Sequence, residues 1–114
     1  MARIDTDRAG RVLDALGEEH PGAQLLVNDP WSIYYLTGFY ADMFERFSGV
    51  LLARDREPVI LVNALHRLPA YDNARVAYHT DSDDVAAAIA RELDPARPLG
   101  VDAAMRSGFL LPLM

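Results

Sequence analysis

Between Phe39 and Arg46 the chain places three aromatic rings (Phe39, Tyr40 and Phe44), two acids (Asp42 and Glu45) and one arginine within eight residues. Flat apolar rings beside charged groups make a binding surface, and loops on a packed scaffold are where binding residues concentrate. Other candidates are scattered. Asp29 and Asp102 each follow an apolar run, and carboxylates near strand ends can bind magnesium, as in nucleases built on a mixed sheet. Asp29 also reads as a helix cap, which explains it without a metal. Asp81, Asp83 and Asp84 form an acidic run, but at a helix start capping and the helix dipole account for it. His66 and His79 have no identifiable partner in sequence, so both read as structural or solvated residues rather than catalytic ones. Trp31 reads as a packing residue; exposed, it would point to an interface. H-E-x-x-H, G-x-S-x-G, G-x-G-x-x-G and phosphate-binding glycine loops are all missing from the sequence, so the residues by themselves supply no catalytic set.

The elements that position these residues are legible as periodicities. Ile4 to Glu19 has Ala9, Val12, Leu13 and Leu16 at helical spacing, with Asp5 or Thr6 to cap it and Arg8 and Arg11 on the outer side; Gly17 and His20-Pro21-Gly22 end it, leaving His20 facing solvent. Ala23 to Val27 is a short apolar run suited to a strand buried on both faces. Asp29 then caps, Pro30 takes the first helical position, and Gly38 supplies the left-handed residue that ends a short helix. Ser48 to Arg54 and Val59 to Val62 flank the polar turn Asp55-Arg56-Glu57-Pro58 and read as an antiparallel hairpin. Asn63 to Asn73 reads as a helix, with Pro69 against it. Arg75 to His79 is a fourth strand, Val85 to Leu93 a helix that ends before Pro95, and Leu99 to Val101 a fifth strand. Alternation of this kind gives a mixed sheet covered by helices on both faces. Met105 to Met114 is apolar and stops abruptly. On that ground the sequence reads as cut from a longer protein.

Composition narrows the partners. A chain of 114 residues with 51% hydrophobic residues has room for one domain, spanning 1–114, with a real core. The net charge is −6 and all eleven cations are arginine; without a basic cluster the chain is a poor match for a nucleic-acid backbone. No apolar run is long enough to span a bilayer, and the N-terminus lacks a secretory pattern. With no cysteine, disulfides and thiolate metal sites are excluded, which fits a cytoplasmic location.

The stretch Asp29, Pro30, Ile33, Tyr35, Leu36, Thr37, Gly38 and Phe39, followed by Arg46, Ser48, Gly49, Val50, Leu51 and Leu52, resembles the N-terminal domain of the creatinase and prolidase metallopeptidases. That group includes Xaa-Pro aminopeptidases and Xaa-Pro dipeptidases. Glu57 to Val62 (E-P-V-I-L-V) and Leu99 to Asp102 (L-G-V-D) fall in the same order. Ser32 and Tyr34 depart from the usual asparagine and arginine. The resemblance implies a three-layer α/β/α fold of ribonuclease H-like topology, with five strands in a mixed sheet and the second strand antiparallel. It implies a non-catalytic role in dimerisation and in shaping the substrate entrance of a pita-bread catalytic domain absent from this chain. That domain would hold two divalent metals (manganese, cobalt or zinc); this chain would bind no metal or cofactor. Implied partners are the catalytic domain, a second subunit and a peptide substrate, with Phe39, Tyr40, Asp42, Phe44 and Arg46 as substrate-contacting residues. In the creatinase branch a Phe and an Arg at this place hold a substrate carboxylate, which Phe44 and Arg46 match. Arginine suits that role because it offers two parallel hydrogen bonds. An ion pair of Arg46 with Asp42 or Glu45 is the structural alternative. A second functional reading is a peptide-binding or scaffold module of a homologue that has lost catalysis.

Overall fold

The computed structural model describes residues 2–40, 46–102, 105 and 110–113. Along the chain these form α1 (Thr6–Glu19), β1 (Gln24–Val27), α2 (Pro30–Thr37), β2 (Gly49–Leu52), β3 (Val59–Asn63), β4 (Arg75–His79), α3 (Val85–Ala90), β5 (Leu99–Val101) and a closing 3-10 turn (Leu111–Leu113). The strands make one sheet in the order β4-β3-β2-β1-β5. β2 pairs antiparallel with β1 and β3, while β3–β4 and β1–β5 are parallel. β2 therefore runs against the other four strands, in the mixed α/β arrangement that the resemblance implies.

Alternation along the strands sorts the core into two layers. Val27, Val50, Leu52, Ile60 and Val62 face Ala9 and Leu13 of α1 and Ile33 and Leu36 of α2. Leu26, Leu51, Val59 and Leu61 face the other way, against Phe47, Ile89 of α3 and half-buried Leu113. With helices on both faces, every residue of β2 and β3 is buried, which is why both read as continuous apolar runs. Each fully buried aliphatic side chain contributes roughly 1.5–3 kcal/mol.

The caps follow the sequence. Asp5 accepts the Arg8 backbone N–H at 3.0 Å, and Asp29 accepts that of Ser32 at 2.9 Å. Gly17, expected to help end α1, lies inside it; the helix runs to Glu19 and stops at exposed His20, whose N–H donates to the Leu16 carbonyl. A mid-helix glycine costs only about 1 kcal/mol relative to alanine, whereas Pro21 cannot donate and Gly22 turns left-handed with φ +76°.

The expected helix from Asn63 to Asn73 does not form. Asn63 is the last residue of β3, and turns and bends follow it. Its Oδ1 accepts the Leu65 N–H at 3.0 Å, a local bond that competes with helical geometry. Pro69 removes a donor and biases Leu68 away from helix. The segment acts instead as a strap. Asn73 bonds both backbone groups of Ile4, at 2.8 and 2.9 Å, the Tyr71 hydroxyl donates to the Thr37 carbonyl at 2.7 Å, and Ala2 forms a parallel bridge with Tyr71. The spacing of Leu65, Leu68 and Tyr71 mimicked a helix, yet Leu65 is exposed while Leu68 and Tyr71 lean on the core.

Gly49, the first residue of β2, has no room for a side chain. A Cβ there would stand 2.6 Å and 2.8 Å from two carbons of the buried Phe47 ring and 3.2 Å from the Val27 carbonyl oxygen. Gly49→Ala is expected to lower stability by about 1–3 kcal/mol, read as a lower urea midpoint with an unchanged slope; an unchanged midpoint would show that the Phe47 ring can step aside.

Candidate functional site

The site is built on the junction of β1 and α2. Because β5 lies parallel beside β1, Asp102 arrives at the level where β1 ends. Its Oδ2 accepts the backbone N–H groups of Asn28 and Asp29 at 2.7 and 2.8 Å. The Asn28 amide donates to the Ser48 carbonyl at 2.7 Å, tying the junction to the start of β2. Asp29 receives both the N–H and the hydroxyl of Ser32 on one oxygen. Ser32, in place of the usual asparagine, thus serves the cap. Both carboxylates raised as magnesium ligands are engaged with the fold itself. Among the described residues no group of three or more His, Cys, Asp or Glu side chains could hold a metal ion.

From this junction α2 turns Ile33, Leu36 and Thr37 inward and Trp31, Tyr34 and Tyr35 outward. Trp31 is 67% exposed. Of the two readings of Trp31, packing or exposed, the exposed one applies, because it sits one residue past Pro30 on the solvent side and Ile33 takes the inward position. Thr37 fixes the exit from the helix. Its hydroxyl donates to the Ile33 carbonyl at 2.7 Å and accepts the Phe39 N–H at 3.0 Å, while Gly38 takes φ +76°. Phe39 consequently goes inward, half-buried against the core and edge-on to His66 at 5.3 Å between ring centres. Tyr40 goes outward onto Trp31, with ring centres 4.7 Å apart, and Tyr34 meets Trp31 edge-on at 6.4 Å. The result is an exposed aromatic ledge. Beside it the Arg8 guanidinium lies 3.5 Å above the Tyr35 ring and donates to the Tyr35 carbonyl at 2.9 Å.

The sequence candidates therefore separate. Phe39 contacts His66, Tyr40 contacts Trp31, and Arg46 turns to a third place. Asp42 and Phe44 lie outside the described residues, as does Glu45. Arg46 makes two parallel bonds to Asp81, Nε to Oδ1 and Nη2 to Oδ2, both at 2.9 Å. Asp81 Oδ1 also accepts the Asn63 amide at 2.9 Å. The Arg46 guanidinium, then the Asn63 amide, hold the Asp81 carboxyl below its ordinary value. Of the rest of the acidic run, Asp84 caps α3 by accepting the Ala87 N–H, whereas Asp83 turns back to accept the Thr80 N–H in the turn before the helix.

Sequence reasoning passed over the buried amides. Gln24 donates to the Asp94 carbonyl at 2.8 Å and accepts the Asp94 N–H at 3.0 Å, clamping the chain that leads into β5. The signal was present, because an amide inside an apolar strand must find partners.

His79 ends β4 and is 3% exposed, with no partner for Nε2 among the described residues. Burial pushes its imidazole below the ordinary 6.5, against a smaller pull from Asp83 and Asp81. A depressed folded-state value means that the unfolded chain takes up the proton first. The stability tied to a neutral His79 is therefore complete above about pH 6.5 and lost as the pH falls toward the folded-state value. His79→Phe is expected to flatten the fall in melting temperature between pH 6.5 and pH 5; a variant that loses stability as steeply as the parent would place the acid sensitivity elsewhere.

Comparison with known proteins places this geometry. The family model described as Creatinase/Prolidase N-terminal domain matches residues 8–111. No curated protein matches the chain. Among solved structures, the N-terminal domain of an X-Pro dipeptidase from Streptococcus pyogenes superposes with a TM-score of 0.78 at 22% identity, covering 94% of this chain and 85% of that one. A proline dipeptidase from Streptococcus pneumoniae gives 0.74 at 25% identity, covering 93% and 82%. A dipeptidase from Mycobacterium ulcerans gives 0.66 at 26% identity, covering 97% of this chain but 33% of its own. With a family match across nearly its whole length and the same sheet and helices in these structures, the chain belongs to the creatinase/prolidase N-terminal domain family.

Proposed function

We propose that this chain is the non-catalytic N-terminal domain of an Xaa-Pro-type metallopeptidase, an aminopeptidase or a dipeptidase acting in the cytoplasm, and that it shapes the substrate entrance and takes part in dimerisation. The observation that carries this reading is the family match over residues 8–111, joined to the Mycobacterium ulcerans dipeptidase, of which the matched part is 33%. In this reading catalysis belongs to a separate C-terminal domain with two divalent metals (manganese, cobalt or zinc), which supply a hydroxide nucleophile for peptide hydrolysis. The role of the present chain is to present binding groups. Phe39, Tyr40, Asp42, Phe44 and Arg46 are the residues assigned to the peptide. Two features support that assignment: Tyr40 is braced by Trp31 on one side of the segment, and Arg46 is oriented by Asp81 on the other. A peptide carboxylate would take the place of Asp81 at the guanidinium and accept the same two parallel hydrogen bonds.

The test compares this chain with the product of its full gene. An Xaa-Pro dipeptide with manganese should be cleaved by the full-length protein and left intact by residues 1–114. Turnover by the isolated chain would refute the assignment of catalysis elsewhere; a full-length protein without activity would favour the peptide-binding or scaffold reading. Within an active full-length protein, Arg46→Ala is expected to raise KM about ten-fold, the loss of roughly 1.4 kcal/mol of binding, with kcat and melting temperature nearly unchanged. An unaltered KM would leave Arg46 as a surface ion-pair residue.

A further inference from the structure

β4 is the outermost strand of the sheet, beyond β3. It pairs with β3 without a break, from Val59↔Arg75 to Asn63↔His79. Two bonds fix the direction of its backbone groups. Arg75 donates its N–H to the Pro58 carbonyl at 2.9 Å, and the His79 carbonyl accepts the Ala64 N–H at 2.7 Å. Arg75, Ala77 and His79 therefore turn their backbone groups to β3, and Val76 and Tyr78 turn theirs to the open side, because the groups alternate along a strand. Among the described residues no strand lies on that side. Sheets guard such edges with lysine, proline or a bulge. The R-V-A-Y-H of β4 has neither residue and its register is unbroken, and Tyr78 is 50% exposed. At the opposite edge β5 is only three residues long.

We propose that the free edge of β4 pairs antiparallel with β4 of a second copy of this chain, about a twofold axis at Ala77, joining the two sheets into one. The strand is self-complementary in that register. Val76 of each copy meets Tyr78 of the other, and each pair exchanges both N–H···O bonds. A β-branched side chain beside an aromatic one is a favourable cross-strand pair. Ala77 meets Ala77 at the axis, where a small side chain leaves room. Charge selects the antiparallel alignment. At the start of β4, Arg56 and Arg75 share the single acid Glu92, which leaves a positive excess. Past its end, Arg46 meets Asp81, while Asp83 and Asp84 have no cationic partner among the described residues. Antiparallel pairing brings the basic end of each strand to the acidic end of the other. A single pair of short strands falls below the roughly 1,600 Å² of a standard interface, so the association is weak and concentration-dependent. The proposal gives the dimerisation proposed above a surface, and rests on that reading only in taking a second copy as the occupant.

The test is sedimentation equilibrium of the 114-residue protein from low micromolar to millimolar concentration, with amide hydrogen exchange at both ends of the range. A monomer–dimer equilibrium is expected, weakened by added salt. On dimerisation the amides of Val76 and Tyr78 should gain protection, while those of Arg75, Ala77 and His79 are protected throughout. Tyr78→Pro removes an outward N–H and none of the bonds to β3, and should weaken the dimer about ten-fold or more. Tyr78→Lys keeps the backbone bonds but loses the ring and adds a guarding charge, and should weaken it about three-fold or more. If Tyr78→Pro fails to fold, Tyr78→Lys and the exchange pattern decide. A dimer that withstands the substitutions and leaves Val76 and Tyr78 unprotected would overturn the proposal and keep dimerisation, through another surface. A chain that stays monomeric at every concentration would also overturn it, and dimerisation of the full-length protein would then belong to other residues.

Discussion

One carboxylate oxygen, Asp102 Oδ2, holds the point from which the outward aromatic face of α2 is laid out. By accepting the N–H groups of Asn28 and Asp29 it satisfies two backbone donors at the place where β1 stops and α2 has not begun. Buried backbone donors at such a junction must be paired. The parallel β1–β5 pairing makes the arrangement possible, since β5 runs the same way as β1 and Asp102 follows it at the end where β1 stops. Once the junction is set, the direction of α2 is set, and so are the outward positions of Trp31, Tyr34 and Tyr35 and the departure of the chain at Gly38.

A second layer of long-range polar bonds works in the same way. Gln24 clamps Asp94, Asn73 takes both backbone groups of Ile4, and Asn63 and Arg46 converge on Asp81. Each uses an amide or guanidinium to fasten irregular backbone to the regular sheet. These bonds do not drive folding, which rests on the two apolar layers. They decide where the connecting segments lie, and a fully satisfied network specifies one arrangement among several of similar apolar burial.

This division explains how much could be read from the sequence. The strands were legible because burial on both faces leaves unbroken runs such as Val50 to Leu52 and Val59 to Val62, and α2 because Asp29-Pro30 and Gly38 act on their immediate neighbours. The family likeness rested on the same local signature. The segment after Asn63 was not legible, because its rule is long-range: its polar groups answer to Ile4 and Thr37, and its apolar spacing imitates a helix by coincidence. Arg46 shows the same limit. Its near acids were the obvious partners in sequence, yet the described bond goes to Asp81, brought there by the parallel pairing of β3 and β4. Trp31 lay in a correctly read helix, but the short α2 carries too few residues for periodicity to say which side is wet.

The pairing of β1 with β5 also carries a consequence in time. Asn28 and Asp102 are separated by 74 positions, so this closure spans most of the chain, and contacts of high sequence separation are the slow ones in folding. A chain emerging from synthesis N-terminus first holds β1, α2 and the β2–β3 hairpin before β5 exists. Until β5 docks, the N–H groups of Asn28 and Asp29 have no carboxylate to meet, and the aromatic ledge has no fixed bearing. The outer face of this fold is therefore completed only once β5 has been made and has docked beside β1.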